Sequence, residues 1–91
     1  MIQVHISIYK IGNSNRTEPV QNDSIFLDMD KKLFLETIDM FAKNKFTIDS
    51  SHYKKTNQLI LSNENYIINI DVYPNIKYGI NNIFEYLEGA I

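Results

Sequence analysis

The run Tyr66 to Tyr73, Y-I-I-N-I-D-V-Y, constrains this chain more than any other stretch. Successive side chains of a strand point to opposite faces. Ile68, Ile70 and Val72 therefore share one face, and Ile67, Asn69, Asp71 and Tyr73 the other. Pro74 ends the run, because it has no N–H for a ladder and restricts the residue before it. A strand with one wholly apolar face needs neighbours on both edges and a covering layer.

The rest of the chain supplies those parts. Ile2 to Ile11 alternates, with Ile2, Val4, Ile6 and Ile8 on one face and Gln3, His5, Ser7 and Tyr9 on the other, which predicts a first strand. Gly12 to Asp23 is rich in Gly, Asn, Ser and Pro, so a long loop and contact region is expected there. Ser24 to Asp28 is short and apolar enough for a second strand hairpinned back on the first. A helix then follows, with Asp28 or Asp30 as N-cap. With Asp30 as cap, Met29 and Phe34 occupy the staple positions. Phe34, Ile38, Phe41 and Ala42 form its apolar stripe. Asp39 and Lys43 lie four residues apart on the other side, and Asn44 suits the C-terminal end.

Phe46 to Tyr53 reads as a strand with Phe46 and Ile48 inward, Lys54 to Asn57 as a turn, and Gln58 to Ser62 as the next strand. Connections this short make an antiparallel meander with the central strand. Asn75 to Ile91 reads as a second amphipathic helix through Ile76, Ile80, Ile83, Phe84, Leu87 and Ile91, with a regular start near Gly79 as an alternative. Two apolar helix stripes need one sheet face to bury against. The expected fold is α+β: a two-layer sandwich, mainly an antiparallel sheet of four or five strands with two helices on one face, in the order β-(β)-α-β-β-β-α. The 91 residues make one domain, 1–91.

Composition narrows the function classes. A hydrophobic fraction of 44% and a charged fraction of 22% suit a folded, soluble chain. With no cysteine there is no thiolate nucleophile, disulfide or Cys-ligated metal. No apolar run approaches the roughly 18 residues of a membrane span, and Met1 leads straight into a strand pattern. A cytoplasmic protein with no membrane partner is expected. The net charge of −2 and the lack of a basic stripe argue against a nucleic-acid partner, although His5, Tyr9 and Tyr73 could stack bases on an open sheet face.

No reaction centre emerges from the residues. His5 and His52 would have to converge with Asp49 or Asp71 to hold zinc; separate surface histidines are the simpler reading. Ser51 and His52 would point to opposite faces of a strand, which separates a nucleophile from its base. The glycines are isolated, so no phosphate-cradling loop forms. No cofactor is expected. The carboxylates near the first helix read as a cap and a solvated face.

What remains is an interface pattern. Tyr53, Tyr66, Tyr73, Tyr78 and Tyr86 are interleaved with Asp49, Asp71, Glu85 and Glu88. Tyrosine anchors interfaces through a large rigid ring with a polar tip, and carboxylates steer basic partners. In chain length, one-domain α+β pattern and the Tyr-plus-carboxylate stretches Y-I-I-N-I-D-V-Y and E-Y-L-E, the chain resembles the small acidic immunity proteins of bacterial toxin systems. These are the proteins paired with contact-dependent inhibition toxins and nuclease bacteriocins. The resemblance implies a non-enzymatic inhibitor that occludes the active or functional surface of a basic toxin or nuclease domain. Phage-encoded inhibitors or regulatory subunits acting on a host protein share the same profile. Exposed sheet edges leave open a homodimer or strand addition by a partner.

Overall fold

A computed structural model describes residues 2–74 and 83–91. The strands are β1 (Ile2–Ile11), β2 (Thr17–Leu27), β3 (Thr47–Asp49), β4 (Gln58–Ser62) and β5 (Tyr66–Pro74). The helices are α1 (Lys31–Ala42), α2 (Tyr53–Thr56) and α3 (Ile83–Ala90). The five strands form one antiparallel sheet in the order β2-β1-β5-β4-β3. The chain is a small α+β fold, and the alternating run Tyr66–Tyr73 is the sheet's middle strand.

Register explains the layering. Val4 pairs with Val72, Ile6 with Ile70 and Ile8 with Ile68 across β1 and β5. Ile70 and Ile68 in turn face Leu59 and Leu61 of β4. All of these side chains are buried. They pack with Phe34, Ile38, Phe41 and Ala42 of α1 and with Leu87 of α3, so both helices cover the same sheet face. The opposite face has no helix over it among the described residues.

Helix α1 begins as expected: Asp30 is the N-cap, and its Oδ1 accepts from the Leu33 N–H at 2.8 Å. At its other end Lys43 caps the helix and Asn44 takes a left-handed φ of 63°, a conformation Asn tolerates better than most residues. Phe46 then stacks on Phe41 at 5.7 Å, which turns the chain back toward the sheet. Asp39 and Lys43 form no ion pair, despite their spacing.

The structure corrects four expectations. Residues 12–23 are not a long loop. A single 3-10 turn at Asn13–Asn15 joins β1 to β2, which starts at Thr17. β2 is an edge strand, exposed along most of its outer half, so its residues carry no apolar alternation to read. Pro19 is tolerated because an edge strand has one unpaired side, and the register slips beside it, between Ile8 and Tyr9.

The strand expected at 46–53 stops at Asp49. The Asp49 carboxylate accepts from the Ser51 N–H at 2.9 Å and its hydroxyl at 2.6 Å, which bends the chain out of the sheet. One helical turn, α2, replaces the turn expected at 54–57, and it ends at Asn57 with φ 56°.

In the second helix the described part is Ile83–Ala90. Leu87 is buried as expected, but Ile91 is 37% exposed and lies outside the stripe. Ile76, Ile80 and the alternative start at Gly79 lie outside the described residues, as do the side chains of Ile83 and Phe84.

Candidate functional site

The sheet face that no described helix covers is the candidate site. Strand geometry builds it: each residue beside a core position on β1, β5 or β4 points outward. Gln3 pairs with Tyr73, His5 with Asp71, Ser7 with Asn69 and Tyr9 with Ile67. On β2, Phe26, Ser24 and Asn22 continue the first three of these rows. On β4, Gln58 continues the row of Asp71, while Ile60 links Asn69 to Asp49 at the end of β3. The result is a broad surface of amides, hydroxyls and rings with two carboxylates.

Its charge is one-sided. None of the outward strand positions is Lys or Arg. The lysines of the described residues sit mainly elsewhere: Lys31 and Lys32 in α1, Lys43 and Lys45 just beyond it, Lys54 and Lys55 in α2. A cation meeting this face therefore encounters Asp71 and Asp49 without a competing positive side chain on the strands.

The centre of the face is a row of three. His5 Nδ1 and Ser24 Oγ share a hydrogen bond of 3.0 Å, and Asp71 lies opposite His5 on the other flank. Directly opposed residues hold their Cβ atoms about 4.5–5.5 Å apart. Serine, histidine and aspartate thus stand side by side, contributed by three strands. The His5–Ser24 bond is solvent-exposed, while His5 and Asp71 are half-buried, so water competes for the bond. Chain order hid this row: Ser24 and Asp71 reach His5 only once the register of both neighbouring strands is known. His52, in contrast, belongs to the turn before α2 beside Asp49. Among the described residues no group of three or more His, Asp or Glu side chains could hold a metal ion.

The expected site residues separate. Asp71, Tyr73 and Asp49 share the open face, and Tyr73 is 51% exposed. The Asp49 carboxyl is held below the usual carboxylate range, first by the Ser51 hydroxyl and then by the Ser51 N–H and nearby His52. Its negative charge is therefore secure. Tyr53 does not join them: its ring packs against the core and its hydroxyl is buried, because it starts α2 on the helical side of the sheet. Glu88 is exposed on α3, 3.9 Å from Lys45, again in the helical layer. Exposed pairs of this kind contribute little to stability. Tyr78 lies outside the described residues, as do the side chains of Glu85 and Tyr86.

No helix among the described residues is long and apolar enough to cross a membrane. Searches of protein-family models, curated proteins and solved structures find no match to this chain.

Proposed function

We propose that this chain is a protein-binding inhibitor whose open sheet face receives a basic surface of its partner, as an immunity protein covers a toxin. The observation that carries the reading is the charge asymmetry of that face: Asp71 with Tyr73 beside it on β5, Asp49 on β3, and no lysine or arginine at any outward strand position. Tyr73 is the anchor, its ring burying apolar area and its hydroxyl keeping a hydrogen bond. Asp71 and Asp49 meet Lys or Arg of the partner and speed its approach. On the other side of Asp71, His5 and Ser24 add hydrogen-bonding groups. A nuclease suits this chemistry, because a surface built to hold phosphates is rich in the cations that the face lacks.

The test is coexpression with a basic toxin or nuclease domain encoded beside this chain's gene, followed by copurification and a nuclease assay. Stoichiometric capture with loss of nuclease activity is the expected result. Submicromolar RNA binding by the chain alone at physiological salt would overturn the reading, since the open face would then be receiving anions.

A further inference from the structure

We propose that His5 is a proton-sensitive switch on the open sheet face, which weakens the hold of Asp71 on a partner's Lys or Arg as the surroundings turn acidic. The switch rests on the reading of that face as a receiver of cations and regulates the same site.

Register puts the imidazole where a charge has most effect. His5 is directly opposite Asp71 on β5 and directly opposite Ser24 on β2. Opposed residues hold their Cβ atoms about 4.5–5.5 Å apart. Both His5 and Asp71 are half-buried, so solvent screens their interaction less than that of a fully exposed pair. The ring is held in place by the 3.0 Å bond between its Nδ1 and the Ser24 hydroxyl. A hydroxyl both donates and accepts. That bond therefore survives protonation, whichever ring nitrogen takes the proton, and the charge of the ring changes without its position changing.

The surroundings fix the sign of the effect. The titratable groups facing His5 are Asp71 and, diagonally, Tyr73, both on β5. Its outward neighbours on β1, Gln3 and Ser7, and its partner Ser24 on β2 carry no charge, and Gln58 of β4 backs Asp71. No lysine or arginine stands at an outward strand position. A protonated His5 is thus the one cation those positions can raise. Histidine is the side chain that gains its proton between pH 8 and 5. Over that interval arginine and lysine stay charged and phenols stay neutral. The imidazolium then competes with the partner's cation for Asp71 and repels it as well.

The experiment titrates the full chain with hexa-arginine at low salt and follows amide NMR shifts at about pH 8 and about pH 5.5. At the higher pH, shifts should centre on Asn69, Asp71 and Tyr73. Affinity should fall about three- to tenfold at the lower pH. His5→Gln should bind almost equally at both. His5→Lys, charged throughout, should bind weakly at both. His52 lies in the turn beside Asp49, and His52→Gln alters net charge as His5→Gln does, yet should keep the parent's pH dependence. That pair of variants separates a local effect from one of overall charge. A pH dependence that survives in His5→Gln or disappears in His52→Gln would overturn the switch, as would tight binding by His5→Lys. Binding by the parent that is equal at both pH values overturns the switch and leaves the cation-receiving reading standing. No shift on this face at the higher pH, up to about 1 mM peptide, overturns both.

Discussion

His5 faces Asp71 across the β1–β5 pair, and its Nδ1 shares a 3.0 Å hydrogen bond with Ser24 on β2. Three strands therefore place a hydroxyl, an imidazole and a carboxylate in one row on the face that no described helix covers. Nothing in core packing asks for these residues, since the opposite side chains of the same strands, Val4, Ile6, Ile70 and Val72, already fill the interior. A surface row that the fold does not need is available to a partner.

Charge reversal at that row separates binding from folding. Asp71→Lys should change unfolding free energy by no more than about 1 kcal/mol, because the site is not part of the core. The same change should weaken capture of a basic partner at least tenfold at low salt. The deficit should shrink as salt rises toward 1 M, where the screening length falls to about 3 Å. Urea melts and binding isotherms at several salt concentrations check both halves.

The core should respond in the opposite way. Ile70 is fully buried between Ile6 on β1 and Leu59 on β4. Ile70→Ala should cost about 2–5 kcal/mol through lost transfer energy and the cavity left behind. A chain of this size has only about 5–14 kcal/mol in total. Denaturant unfolding of this variant beside Asp71→Ala compares the two faces of β5 within two residues of sequence.

Those two faces were also the most legible part of the sequence. Alternation in β1 and β5 gave the sheet's centre, and with it the outward placement of Asp71 and Tyr73, because one side is buried and the other is not. The C-terminal end of β2, where Ser24 to Leu27 pairs with β1, was legible; its first seven residues were hidden because an edge strand with little buried on either face leaves no period-2 signal. The end of β3 was hidden because Asp49 leaves the sheet through a local side-chain hydrogen bond rather than through Gly or Pro. Tyr53 was misplaced on the exterior as a consequence: continuing the strand hid the turn that starts α2 and buries the ring. The His5 row needed the register of two strand pairs, which residue types alone do not supply.

The start of α1 offers a decision between two neighbouring aspartates. Asp30 caps the helix through its Oδ1 bond to the Leu33 N–H, whereas Asp28 is exposed and lies outside the helix. Asp30→Ala should cost about 1 kcal/mol. Asp28→Ala should stay within about 0.5 kcal/mol of the parent. Equal losses in thermal or urea melts would contradict the cap geometry.

The outer edge of β2 makes a separate prediction about association. Pro19 removes a donor from this strand, and the register slip beside it twists the ladder. Pro19→Val restores the N–H and adds a strong strand former at an exposed edge. The variant should self-associate at concentrations where the parent does not, as measured by light scattering during size-exclusion chromatography. Identical elution of the two proteins across a concentration series would show that Pro19 does not guard the edge.

Alkaline pH tests the environment of Tyr53. Desolvation raises the pKa of its hydroxyl above the ordinary value of 10.0. Folding therefore favours the protonated phenol, so the full stability is present below pH 10 and is lost as pH climbs from the unfolded value through the folded one. Near neutral pH, Tyr53→Phe removes a buried hydroxyl with no described partner and should stabilise the chain by roughly 1 kcal/mol. Above pH 10 the variant should also escape the part of the alkaline loss that Tyr53 causes. Urea midpoints at neutral pH and above pH 10, alongside a tyrosinate absorbance titration, measure both effects. A destabilised Tyr53→Phe protein at neutral pH would mean that the hydroxyl is bonded in the folded state.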